Sequence, residues 1–133
     1  MKLITALSAF ALFTALVPAQ ACTLSVTGTG APGTDLVFAA HGAASSFAVV
    51  AIGQTQGTTN VPFLHLQLGL AEPFIVLPLG RTDANGDVSR TFTVPSRLTT
   101  QHNVFGQGIV VTVQFQPFSI SGCATNVVPF TVG

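Results

Sequence analysis

Apolar and polar residues alternate along most of this chain with a period of two. No useful stretch beyond residue 21 has the 3.6-residue period of an amphipathic helix. Leu24 and Val26 share one side of a strand whose other side is Thr23, Ser25 and Thr27. Leu36, Phe38 and Ala40 alternate with Asp35, Val37 and Ala39, and Leu64, Leu66, Leu68 and Leu70 alternate with His65, Gln67 and Gly69. Residues 47–52 are apolar on both faces, which suits a central strand. Residues 74–79 form another apolar run, and Pro78, which has no N–H to give, assigns it to a sheet edge or a bulge. The clearest strand comes late. Ile109, Val111, Val113 and Phe115 share one face, Val110, Thr112, Gln114 and Gln116 the other, and Val128, Phe130 and Val132 follow.

Turn signals separate these runs at Thr29-Gly30-Ala31-Pro32-Gly33, over 53–60 and over 80–87. About eight short strands at this spacing predict an all-β domain, a single antiparallel β-sandwich of the immunoglobulin/fibronectin-like kind, with a small β-barrel as the alternative. The central Trp of true immunoglobulin domains is missing. Asn85-Gly86 predicts a type I′ hairpin turn between the run 74–79 and a strand over 88–94, with Arg81 and Arg90 placed to pair with Asp83 or Asp87 across it.

The first 21 residues read differently. Lys2 supplies a positive start, an apolar stretch runs to Val17, and Pro18-Ala19-Gln20-Ala21 places small residues where a signal peptidase needs them. Residues 1–21 are therefore expected to be a cleaved signal peptide and 22–133 a single β-sandwich domain. The alternative is a retained anchor, but the apolar run is short for a membrane span, which takes ~20 residues. The expected address is secreted, cell-surface or periplasmic. Two cysteines in an exported chain predict a disulfide between Cys22 and Cys123. Lipidation of Cys22 is the rival reading; Ala19 stands where lipoprotein signals usually carry Leu, and Cys123 would be left alone.

Charge removes several function classes. Only 6% of the chain is charged, and after Lys2 the basic residues are Arg81, Arg90 and Arg97. No basic patch exists for nucleic acid or for anionic lipid. After residue 21 these three face Asp35, Glu72, Asp83 and Asp87, and so low a net charge permits like molecules to approach one another closely.

Candidate chemistry is sparse. Asp83-Ala84-Asn85-Gly86-Asp87 has oxygen ligands at alternate positions, but an EF-hand loop then requires Gly and Glu where Val88 and Val94 stand. His41, His65 and His102 fall on separate segments with no metal-pair spacing. There is no G-x-S-x-G elbow, and Glu72 is the only glutamate. The expectation is a non-enzymatic protein with no catalytic residue, metal or cofactor. Phenylalanine is the sole aromatic type, and having no polar handle it belongs in a core; Phe105 and Phe118 are the two expected at the surface.

The stretch 24–53 and the segment Leu77-Pro78-Leu79, Thr82-Asp83-Ala84-Asn85-Gly86 and Phe92-Thr93-Val94-Pro95 resemble the bacterial Ig-like extracellular modules found in large secreted proteins. The resemblance implies a β-sandwich and an extracellular address, and it carries no catalytic residues. Three functions follow in order: a structural or interaction role at the cell exterior, through self-association or an envelope or extracellular partner; a small-ligand or glycan-binding module using loops at 53–60 and 97–107; and, last, a metal-binding protein or hydrolase built on the three histidines.

Overall fold

A computed structural model describes residues 22–133; the expected signal peptide lies outside the described residues. The regular structure of the described chain is almost all strand: β1 (Thr23–Thr27), β2 (Asp35–His41), β3 (Phe47–Gly53), β4 (Gln56–Val61), β5 (Leu66–Leu70), β6 (Phe74–Arg81), β7 (Asp87–Thr93), β8 (His102–Phe115) and β9 (Phe118–Val132). All pairings are antiparallel. One sheet has the order β1-β2-β7 and the facing sheet β6-β3-β8-β9, with β4–β5 as a separate hairpin. The first sheet corresponds to strands A-B-E of an immunoglobulin-type sandwich. In the second, β3-β8-β9 correspond to C-F-G, with β6 added beside C and β4–β5 inserted between them.

The main core fills the space between the sheets. Leu24, Leu36, Phe38 and Ala40 come from one side, Ala48, Val50, Leu79 and Val110 from the other. Phe38 is 2% exposed and meets Phe92 and Phe130 edge-on, at ring-centroid distances of 5.5 and 5.6 Å. Such pairs contribute about 0.5–1.5 kcal/mol each beyond burial itself. A second, smaller cluster of Leu64, Leu68 and Ile109 lies on the opposite face of the four-stranded sheet, under β4–β5. This explains why 47–52 is apolar on both sides: Ala48 and Val50 join the main core while Val49 packs against the second cluster.

At the β1/β9 seam the two sheets are tied together. Cys22 and Cys123 form a disulfide across 101 residues of sequence. In the chain-entropy view a loop of that length contributes about 4–5 kcal/mol. Beside it, the Asn126 side chain accepts the Leu24 N–H (3.0 Å) and donates to the Leu24 carbonyl (3.2 Å), standing in for a strand partner. Gln107 ties the hairpin to the sheet: its buried amide accepts the Gly69 N–H (2.8 Å) and donates to the Thr125 carbonyl (2.7 Å).

Three local expectations change. The 80–87 segment is not a hairpin: β6 pairs with β3 and β7 with β2, so the chain crosses here from one sheet to the other. The crossing is held by Thr82, whose hydroxyl donates to the Ala43 carbonyl (2.7 Å) and accepts the Ser46 N–H (2.8 Å). Its turn spans Asp83 to Gly86, closed by the Gly86 N–H on the Asp83 carbonyl (3.0 Å). Only Gly86 has positive φ (87°), so Asn85-Gly86 is not type I′. A Cβ there would collide with the Gly42 carbonyl oxygen. Next, the alternating leucines are interrupted. Pro62 opens a single 3-10 turn, Pro62–Leu64, and His65 closes it with φ 55°, so the strand starts only at Leu66. Finally, 53–60 and 97–107 are less loop-like than expected, because β4 occupies most of the first and β8 begins at His102. Pro78 does lie on an edge strand, beside the irregularity between Ala48 and Val49.

Candidate functional site

The three histidines do not converge. His41 ends β2 and its Nδ1 lies 2.7 Å from Asp87 Oδ1, directly across the β2–β7 pair. His102 opens β8 opposite Val132. Phe47 pairs with Val111, nine residues further along β8, and nine strand residues span roughly 30 Å, so His102 lies at the other end of the sandwich from the β2–β3 connection. His65 sits on the outer hairpin layer, in the lining of a surface hollow with Asn60 and Gln67.

The acidic loop is committed to its own backbone. One Asp83 carboxylate oxygen accepts both the Asn85 and Asp87 N–H groups, each at 2.9 Å. The bond from Asp87 does most to hold the Asp83 carboxyl below its ordinary value near 3.8; desolvation opposes it, and bonds from Asn85 and Gly86 assist. Asp87 faces His41 rather than an arginine, and Arg90 donates to the Pro78 carbonyl (2.9 Å) with its guanidinium 5.1 Å from the centre of the Phe92 ring. Among the described residues, no group of three or more His, Cys, Asp or Glu side chains is placed to hold a metal ion.

The distinctive surface lies on β8 and β9. β3 accompanies β8 only from Phe105 to Val111, yet β8 runs on to Phe115 and β9 starts at Phe118. Residues 112–121 therefore project past the sandwich as a two-stranded ribbon. Its register places Val113 opposite Ile120 and Phe115 opposite Phe118, while Thr112 faces Ser121 and Gln114 faces Ser119. Alternation then separates the two sets: one face carries Val113, Phe115, Phe118 and Ile120, the other only hydroxyls and an amide. The apolar face continues that of Ile109 and Val111, which the β4–β5 layer covers.

Past that layer no described residue covers it. Val113 is 43% exposed, Phe115 75%, Phe118 64% and Ile120 37%. The two rings touch, with centroids 5.9 Å apart. A Phe side chain presents ~150–250 Å², so the four residues leave roughly 400 Å² of contiguous apolar surface, comparable to the largest patch on a typical monomer, which is often functional. No Asp, Glu, Lys or Arg follows Arg97, so no fixed charge lies on either strand of the ribbon.

Of the phenylalanines expected in the core, Phe115, Phe47 and Phe63 are exposed; Phe118 is at the surface as expected, while Phe105 is half-buried opposite Pro129. The available signal was length. An alternating strand that reaches Phe115 outruns a neighbour of only seven residues, β3.

No protein-family model, curated protein or solved structure matches this chain.

Proposed function

We propose that this protein is an exported, non-enzymatic β-sandwich with a structural role at the cell exterior, exerted through self-association. The contact is the uncovered face of the β8–β9 ribbon. The observation that carries this reading is the group Val113, Phe115, Phe118 and Ile120, contiguous, exposed and free of charge. The Cys22–Cys123 disulfide supports an oxidising compartment, as does the resemblance to Ig-like extracellular modules.

A second copy of the ribbon suits this face better than a lipid surface does. Interfacial lipid binding draws on Lys, Arg, Trp and Tyr, and residues 112–121 include none of these. Two ribbons related by a twofold axis present the same patch to each other, a self-complementary arrangement, and a domain whose three arginines nearly balance its four acidic residues imposes little long-range repulsion. The patch is about half of the ~800 Å² per partner in a standard interface. The association is therefore reversible and concentration-dependent.

Sedimentation velocity tests it. The native protein gives an average mass that rises with concentration, and Phe115→Ser/Phe118→Ser stays monomeric over the same range. A native protein that remains monomeric into the high micromolar range, or a double variant that associates equally well, contradicts the proposal. Vesicles of neutral phospholipid form the second arm; co-sedimentation with them through the same two phenylalanines reassigns the ribbon to a membrane and sinks self-association.

A further inference from the structure

The two long seams of the sandwich are built differently. At β1/β9 the disulfide and Asn126 tie the sheets together. At β6/β7 the Arg90 side chain reaches across to the Pro78 carbonyl (2.9 Å), and beyond it the sheets part around a cavity of about 250 Å³ that opens between them. Ile52, Ile75, Leu77, Phe92, Val104 and Phe130 contribute to its wall. Thr93 is the only polar residue of the lining, and its hydroxyl already donates to Asp35 (2.8 Å).

The cavity adjoins a second hollow. Ile52, Ile75 and Val104 line both, and the second is bordered by Gln54 and Thr55. Both of these side chains are exposed, and neither hydrogen-bonds another described residue. No charged side chain belongs to either lining.

We infer that this seam is a binding site for a small neutral amphiphile, its apolar body between the sheets and its single polar end at Gln54 and Thr55. Size, lining and charge each point to that class. A dry apolar cavity of about 150 Å³ suffices for a benzene-sized molecule, so 250 Å³ takes a longer aliphatic body. With no buried polar partner in the wall, a polar group carried into the cavity loses its hydration without replacement. No charged side chain lines the hollow at Gln54 and Thr55, and Arg90, the cation of this seam, is held on the Pro78 carbonyl (2.9 Å) and over the Phe92 ring, so a carboxylate head at that polar end gains no ion pair. An amide and a hydroxyl are suited to one uncharged hydroxyl or carbonyl. The exposed Ile75, 59% accessible, forms the lip where the two hollows meet. This inference is independent of the ribbon and survives its failure.

Melting of the purified protein with 1-octanol, octanoate and 1,8-octanediol provides the test. Octanol at saturation raises the melting temperature by about 5 °C, and at pH 7 both octanoate and the diol bind at least about tenfold more weakly, the loss of about 1.4 kcal/mol. Val104→Phe fills the cavity and abolishes the octanol shift. If that variant does not fold, Ile75→Glu, at an exposed edge position, weakens octanol about tenfold or more. Phe115→Ser/Phe118→Ser keeps the full shift. The inference is overturned by the absence of an octanol shift, by octanoate or the diol binding as tightly, by an unchanged shift in the folded cavity variants, or by loss of the shift in the ribbon variant.

Discussion

The two halves of the β8–β9 pair share one alternation and one register, yet they meet opposite fates. In the lower half, Val110 is 1% exposed against the first sheet, Ile109 is 7% exposed under the β4–β5 hairpin, and Cys123 bonds to Cys22. In the upper half the same stripe passes through Val113 to Phe115, and no described residue stands over it. The lower half contributes stability because each of its faces has a partner. The upper half, identical in pattern, adds little to stability and presents apolar surface to whatever approaches. Alternation specifies that a face is apolar; only the lengths of the neighbouring elements decide whether that face is buried.

The largest effect that separates the halves comes from the lower one. Cys22→Ser/Cys123→Ser should cost about 2–5 kcal/mol in urea unfolding and lower the melting temperature accordingly. Leu68→Ala, which removes a 2%-exposed side chain from the cluster beneath the hairpin, should cost a further about 2–5 kcal/mol on its own. Neither site touches the upper half, so the association of the folded protein should be unchanged in both variants.

Changes in the upper half should show the reverse. Phe115→Ser and Phe118→Ser, singly, should alter stability by under about 1 kcal/mol while lowering self-association by at least about tenfold. If either destabilises the fold as Leu68→Ala does, the tip is part of the core and the comparison fails.

Acid sharpens the contrast with the smallest effect. The Asp83 carboxyl has a lowered pKa in the folded protein. The unfolded state therefore binds more protons in that range, and stability rises with pH. The contribution is complete above the ordinary value near 3.8 and is lost as pH falls through the lowered value. Unfolding followed between about pH 2 and 5 should show this dependence in the native protein and a shallower one in Asp83→Asn. Residues 112–121 carry no ionisable side chain, so association should not follow that titration.

Much of this architecture was readable in the residues, for reasons of burial. The alternation of Leu36, Phe38 and Ala40 marks a strand with one face in the main core, and the unbroken run 47–52 marks the strand packed on both sides. Cys22 and Cys123 pair as an exported chain with two cysteines suggests. What was not readable depends on partners distant in sequence. Asn85-Gly86 has hairpin chemistry, but whether β6 returns on β7 or crosses to the other sheet is settled by Thr82 against Ala43 and Ser46, about forty residues earlier. Gln107 resembles a loop residue until Gly69 and Thr125 satisfy its amide inside the fold. Of the candidate site, Phe118 was legible at the surface. Phe115 is legible only through the lengths of its neighbours, because the missing cover is a property of β3 and β5 rather than of β8.

Amide hydrogen exchange at two protein concentrations tests the central claim most directly. On concentration, the peptide spanning 112–121 should gain protection while those spanning β2, β3 and β7 exchange at unchanged rates. Equal exchange of 112–121 when dilute and when concentrated, or protection gained instead along the β1–β2 sheet, would contradict an interface built on Phe115 and Phe118.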